Sequence, residues 1–285
     1  MSNKVQDLRG GYQNLAQEQV EGSFNLSGST PDQINDNNSA LETELKVFKS
    51  QLDDAYKILN DGRKIFIPEL EALEQLAINN DLNLEQLQGK ITLSETGHVT
   101  KAKFNSLDIK DISAVSGFTC ITELWLTSNK IEDISALSSL NSLTKLYIYN
   151  NQVGDLSALS GLTGLTEISL TSNRVSDITA LSSLSNLTWL NLQRNQISDV
   201  SALGNLTNLQ ELTLNNNQIN DIRALSSLQS VEHLDLRWNQ ITDITPVRDL
   251  QALAFLDLSG NPLSHNANEI LEQLRNNGVE VKSNS

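Results

Sequence analysis

The chain has 285 residues, with 20 Lys and Arg against 35 Asp and Glu for a net charge of −15, a single Cys and 38% apolar residues. That length allows one or two domains with a sizeable core, and that charge argues against a nucleic-acid backbone or an anionic membrane as the main partner, since both call for a basic face. One cysteine forms no internal disulfide and no multi-cysteine zinc site, and no apolar run approaches the ~18 residues of a membrane span, so no membrane insertion is expected.

Residues 1–40 are rich in Asn, Gln, Ser, Gly and Asp and hold few large apolar side chains. Such a segment buries too little surface to offset its ordering entropy, and we read it as disordered. Its opening, Met1-Ser2-Asn3-Lys4-Val5-Gln6-Asp7, has no apolar stretch of the secretory kind. The expectation is therefore a cytoplasmic protein, or one exported without a classical signal peptide.

Residues 41–89 read as a small helical region, a cap docked on the first repeat or a segment that serves a partner of its own. Ser39-Ala40-Leu41-Glu42 is a capping box, and Leu41, Leu45, Phe48, Leu52, Tyr56 and Leu59 follow at helical spacing until Gly62. Pro68 opens a second helix carrying Leu70, Leu73 and Ala77. Lys90-Ile91-Thr92-Leu93 and His98-Val99-Thr100 then flank Ser94-Glu95-Thr96-Gly97 as a hairpin.

From residue 90 to 263 the chain is a repeat. Asn129, Asn151, Asn173, Asn195, Asn217, Asn239 and Asn261 recur every 22 residues, and Asp111, Asp133, Asp155, Asp177, Asp199, Asp221 and Asp243 form a second column at the same period. Apolar columns run with them: Leu124, Leu146, Ile168, Leu190, Leu212, Leu234 and Leu256, and two residues later Leu126, Ile148, Leu170, Leu192, Leu214, Leu236 and Leu258. The L-x-L pair alternates as a strand does, with the leucines inward. One such turn cannot bury its apolar side alone, so neighbouring turns must stack into a solenoid. The Asn amide can pair backbone groups of adjacent turns that would otherwise be buried and unpaired. The Asp can accept backbone N–H groups as the N-cap of a helical or 3₁₀ turn such as Ile134-Ser135-Ala136-Leu137. In the first turn Ala102 and Leu107 replace the first leucine and the Asn, as suits an end of the stack. Residues 264–285 read as a C-terminal cap: a helix with Ile270, Leu271 and Leu274, a stop at Gly278 and an edge strand at Val279-Glu280-Val281.

The pattern L-x-L-x-x-N-x-I-x-D-I-x-x-L-x-x-L-x-x-L resembles the 22-residue class of leucine-rich repeat, over roughly Val99 to Leu263. That class includes bacterial internalin-type proteins and a eukaryotic regulator of protein phosphatase. Asn195-Gln196-Ile197-Ser198-Asp199 and Leu206-Thr207-Asn208-Leu209 look most like the bacterial branch. The resemblance implies an α/β solenoid, a leucine-rich-repeat horseshoe with a parallel concave β-sheet and short 3₁₀ or helical convex turns, behind an N-terminal helical cap region. It also implies a non-enzymatic protein–protein interaction module, bacterial and effector- or adaptor-like, with a regulatory subunit of an intracellular phosphatase or kinase as the alternative.

The residues outside the repeat columns support that direction. His98, His233 and His265 match no metal or catalytic spacing, and the acids of the helical region, such as Glu42, Asp53, Glu69 and Glu74, read as solvated faces. The Asp column offers one carboxylate every ~4.8 Å rather than a convergent set, so neither a metal nor a cofactor is expected. Cys120 falls at the return-loop position equivalent to Ser142 and reads as a small, partly buried residue. The outward strand positions are free to vary, and they carry the candidate partner-binding residues Trp125, Tyr147, Tyr149, Trp189, Arg194, His233, Arg237, Trp238 and Phe255. Exposed aromatics and arginines are the types that anchor interfaces. They suggest two groups, Trp125, Tyr147 and Tyr149 on the early repeats, and the other six further along. Eight strands at ~4.8 Å give a face about 40 Å long, which suits a protein or an extended peptide better than a small molecule; a monomer is expected.

Overall fold

The structure, a computed structural model, describes residues 46–47 and 55–283. The segment read as disordered, and most of the first expected helix, lie outside the described residues. The chain divides into two compact units, Met1–Ile67 and Pro68–Ser285.

In the first unit, strands β1 (Tyr56–Ile58) and β2 (Lys64–Phe66) pair antiparallel, with Tyr56 opposite Phe66. This corrects the reading of Tyr56 and Leu59 as the end of a helix. Tyr56, Ile58, Ile65 and Phe66 suit a pleated surface, and Gly62, at φ +84°, supplies the left-handed residue that lets the chain reverse.

The second unit is the expected solenoid. Helix α1 (Ile67–Asn79) buries Leu70, Leu73 and Leu76, and the short helix α2 (Leu84–Gln88) is capped by the Asn83 side chain. Strands β3 (Ile91–Leu93) and β4 (Val99–Lys103) form the expected hairpin. From β4 the sheet runs parallel through β5 (Glu123–Trp125), β6 (Lys145–Tyr147), β7 (Glu167–Ser169), β8 (Trp189–Asn191), β9 (Glu211–Thr213), β10 (His233–Asp235) and β11 (Phe255–Asp257). After helix α3 (Ala267–Asn276), β12 (Glu280–Lys282) adds the last strand, one residue later than expected. Among the described residues this sheet has ten strands, the eight of the repeat with β3 of the hairpin and the C-terminal β12 at its two ends.

From β4 to β11 each strand pairs in register with the residue 22 positions on, Leu124 with Leu146 and Leu234 with Leu256, so every repeat column becomes a line across the sheet. The leucine columns have essentially no exposure. The Asn ladder does what its chemistry allows. Asn217 Nδ2 donates to the carbonyls of Leu192 (3.0 Å) and Leu214 (2.9 Å), while its Oδ1 accepts the Ile197 N–H at 3.0 Å. A third ladder went unread in the sequence: the hydroxyls of Thr122, Thr144, Thr166 and Thr188 each donate to the carbonyl of the Thr one turn earlier.

The Asp column sits slightly differently from expectation. Each Asp accepts the N–H two residues ahead, Ser135 from Asp133 at 2.7 Å and Ser157 from Asp155 at 2.8 Å, at the first residue of a 3₁₀ turn. It thus lies one position before the cap residue proper. At the N-terminal end, Asn80 clasps the first turn: its Oδ1 accepts the Lys110 and Asp111 N–H groups, and its Nδ2 donates to the Asp111 carbonyl at 2.7 Å. Gly117 lies so close to α1 that a Cβ there would meet the Ala72 methyl at 2.7 Å.

Candidate binding face

One face of the sheet is filled by the leucines, and the other carries the side chains between them. Because β5 to β8 pair in register, Trp125, Tyr147 and the residues beside them stand in adjacent rows. Trp125 stacks on Tyr147 with ring centroids 4.0 Å apart and planes at 27°. Trp189 reaches back across β7 to Tyr147, 6.2 Å away and tilted by 50°. The small Ser169 between them leaves room for this contact.

This regroups the candidates. Trp189 joins the early cluster rather than the later one, and Trp125, Tyr147 and Trp189 are half-buried because they cover one another. The trio is rigid by construction: offset and tilted aromatic pairs are worth about 0.5–1.5 kcal/mol beyond their buried area.

A row of alternating charges flanks the rings. Lys101 pairs with Glu123 at 2.9 Å and Lys145 with Glu167 at 2.5 Å, each across one strand. The Trp125 indole donates to Glu123 at 2.6 Å, and the Tyr147 hydroxyl donates to Glu167. Lys103 sits 5.3 Å over the Trp125 ring. The Lys101 hydrogen bond, set against burial and aided by Trp125, holds the Glu123 carboxyl below its usual range. Burial works to raise Glu167, but its bonds to Lys145 and Tyr147 outweigh that and hold it low. Burial first, then the bond to Glu167, pushes the Tyr147 phenol well above its ordinary value. Every ring polar atom of Trp125 and Tyr147 is thus satisfied within the sheet, and the faces they leave open are apolar. Beside Trp189, a recess of about 290 Å³ opens between Tyr147, Glu167, Thr188, Gln210 and Glu211.

The later residues form a looser second patch. His233 lies 6.1 Å from Phe255, whose other side is covered by Lys282 at 4.9 Å. Arg237 is held by its own sheet, bidentate to Asp235 at 2.9 and 2.6 Å and 3.5 Å from Asp257. Tyr149 and Trp238 are broadly exposed, at 40% and 60%, and His233 is exposed as well.

Arg194 and Trp238 stand just past their strands, in a column whose backbone is left-handed. Ser128, Asn150, Ser172, Arg194, Asn216 and Trp238 all have φ between +53° and +57°, and Gly260 follows at +78°. Small polar residues and glycine suit that conformation, and a tryptophan does not. The Trp238 indole lies over Gly260, where an added Cβ would come within 2.5 Å of the ring. Neither fold propensity nor strand packing calls for these two side chains.

Comparison with known proteins agrees with this architecture. The family model described as "Leucine Rich repeats (2 copies)" matches residues 141–183 and 185–227, and a single "Leucine Rich repeat" model matches residues 227–244. No curated protein matches the chain. Among solved structures, internalin C2 from Listeria monocytogenes is 26% identical, covers 76% of this chain and 92% of its own, and superposes with a TM-score of 0.60. The leucine-rich-repeat ectodomain of the plant membrane receptor kinase GASSHO1/SCHENGEN3 from Arabidopsis thaliana, solved in complex with CASPARIAN STRIP INTEGRITY FACTOR 2, is 21% identical. It covers 76% of this chain and 29% of its own, with a TM-score of 0.62, a likeness of fold. Among the described residues no helix is long and apolar enough to cross a membrane. With its 22-residue period, Asn ladder and parallel sheet, the chain carries internalin-like leucine-rich repeats, a fold that serves as a protein–protein interaction module.

Proposed function

We propose that this chain is a non-enzymatic module that binds a protein partner across the exposed face of its sheet, in a bacterial, effector- or adaptor-like role. The observation that carries the reading is the aromatic trio Trp125, Tyr147 and Trp189, packed on one another and half-exposed, with the polar atoms of Trp125 and Tyr147 already paired. A preorganised aromatic surface loses little entropy on binding, so the apolar contact it makes converts efficiently into affinity. Tyr149, Arg194, His233, Arg237, Trp238 and Phe255 extend the surface toward the C-terminal strands. The bland alternative, that the aromatics merely suit strand surfaces, accounts for Trp125 and Tyr147 but not for Trp238 in a left-handed turn.

The test is quantitative capture from bacterial and candidate host lysates. It compares the wild-type chain with a variant carrying Trp125→Ala, Tyr147→Ala, Trp189→Ala and Trp238→Ala, after circular dichroism establishes that both are folded. A protein held by the first and lost by the second supports the reading. A protein held equally by both moves the binding surface elsewhere and refutes it.

A further inference from the structure

We propose that Glu69, His98 and Cys120 form a binding site for a zinc-type divalent cation at the N-terminal end of the solenoid. One ligand-capable atom from each residue lies within 4.8 Å of the other two. Two of the three meet through the repeat itself. His98 and Cys120 are 22 residues apart, so they occupy the same column of consecutive turns, just before strands β4 and β5. Further along, that column holds Ser142, Gly164, Asn186, Asn208 and Ser230, and Asn186 and Asn208 use their amides to hold the carbonyl of the preceding turn. Only the first two turns carry metal-ligating side chains there. The third, Glu69, comes from the first turn of α1, immediately after Pro68.

The burial of Glu69 is the second observation. It has no exposure, which corrects its reading as part of a solvated face, because α1 packs its first turn against the hairpin. Its Oε2 accepts the Val99 N–H at 2.7 Å and lies 3.6 Å from His98 Nδ1, while its Oε1 is buried with no hydrogen-bond partner. A buried carboxylate oxygen without a partner is strongly unfavourable, and coordination to a metal is one of the few arrangements that satisfies it. A tetrahedral ion with bonds of 2.0–2.3 Å separates its ligand atoms by about 3.3–3.7 Å. The edge from Glu69 Oε2 to His98 Nδ1 is already of that length, and the Cys120 Sγ lies within 4.8 Å of a ligand atom of each.

The donor set names the class of ion. One sulfur, one imidazole nitrogen and one carboxylate oxygen suit borderline ions such as Zn²⁺ or Co²⁺ rather than Ca²⁺ or Mg²⁺, which take oxygen. Cys120 binds as thiolate, releasing its proton to solvent, with no change of oxidation state. Three protein ligands leave a fourth position for water.

The experiment uses the full chain, free of tags and fully reduced, titrated with Co²⁺. The chain has one cysteine, so a thiolate-to-cobalt charge-transfer band can arise only from Cys120. The expected result is a saturable one-to-one band, displaced by one equivalent of Zn²⁺, absent in Cys120→Ser and weakened more than tenfold in His98→Asn and Glu69→Gln. Should Glu69→Gln fail to fold, His98→Asn alone decides. Failure of the wild-type chain to give the band overturns the proposal, and so does a band whose titration is unchanged in His98→Asn, which would mean a lone thiol binding metal.

Discussion

The Asn ladder gives the sharpest test of how the solenoid is held together, and Asn217→Ala is the perturbation of choice. Its amide bridges two adjacent turns, donating to Leu192 and Leu214 and accepting from Ile197. The two carbonyls are not orphaned by the change, because Asn195 also donates to Leu192 and Asn239 also donates to Leu214, both at 3.0 Å. The Ile197 N–H has no such reserve. One buried orphan costs about 1–3 kcal/mol and two lost hydrogen bonds about 0.5–1.5 kcal/mol each, so the substitution should destabilise by about 3 kcal/mol. With a urea slope of about 2–3 kcal/mol/M for a unit of this size, the midpoint should fall by roughly 1 M, followed by far-ultraviolet circular dichroism. Asp199→Ala is the control. Its carboxylate accepts the Ser201 N–H at 2.8 Å on an exposed surface, where water can replace it, so the midpoint should move far less. A shift for Asn217→Ala no larger than that for Asp199→Ala would refute the ladder as the main polar tie between turns.

Further outcomes follow from the same geometry. Hydrogen bonds from Ser157 to Asp155 and from Thr179 to Asp177 hold these carboxyls below the ordinary aspartate range. Their contribution is present above that range and lost as pH falls through the lower folded value, so urea midpoints should be flat above about pH 5 and decline below about pH 4. In the double variant Asp155→Asn, Asp177→Asn the decline should be shallower, and an unchanged acid slope would contradict this. Gly260→Ala should destabilise by about 1–2 kcal/mol, since it puts a Cβ at positive φ and into the Trp238 ring. In a Trp238→Asn background part of that loss should disappear, and strict additivity would show that the ring clash plays no part. Trp238→Asn alone should not lower the thermal midpoint, because Asn suits the left-handed backbone, and a fall of several degrees would mean that the indole holds the turn. In an alkaline absorbance titration Tyr147 should ionise above the ordinary tyrosine range, and Tyr147→Phe should remove that step.

The repeat was legible because its physics is periodic. Leucines, Asn and Asp recur in fixed columns, and one turn's pairing dictates the next, so sheet, ladder and 3₁₀ turns could be read before any coordinates. The outward positions were legible as a face but not as a cluster. The contact between Tyr147 and Trp189 depends on the small Ser169 between them and on ring tilt, which spacing does not encode. The hairpin from Tyr56 to Phe66 was hidden because its apolar residues also fit a helical period, and the turn at Gly62 decides between them. The meeting of Glu69 with His98 and Cys120 was hidden for a different reason. The 22-residue offset of His98 and Cys120 is in the sequence, but Glu69 lies outside the repeat, and only the docking of α1 brings it to them.

The central claim, that a protein binds across the aromatic face, is tested most directly by fluorine NMR on the chain labelled with 5-fluorotryptophan. The three tryptophans, Trp125, Trp189 and Trp238, all stand on or beside this surface, so the spectrum holds three resonances, assigned by single Trp→Phe changes. On addition of a captured partner, the account predicts that the Trp125 and Trp189 resonances shift or broaden in step with complex formation. Saturating partner that leaves both resonances where they were would contradict it.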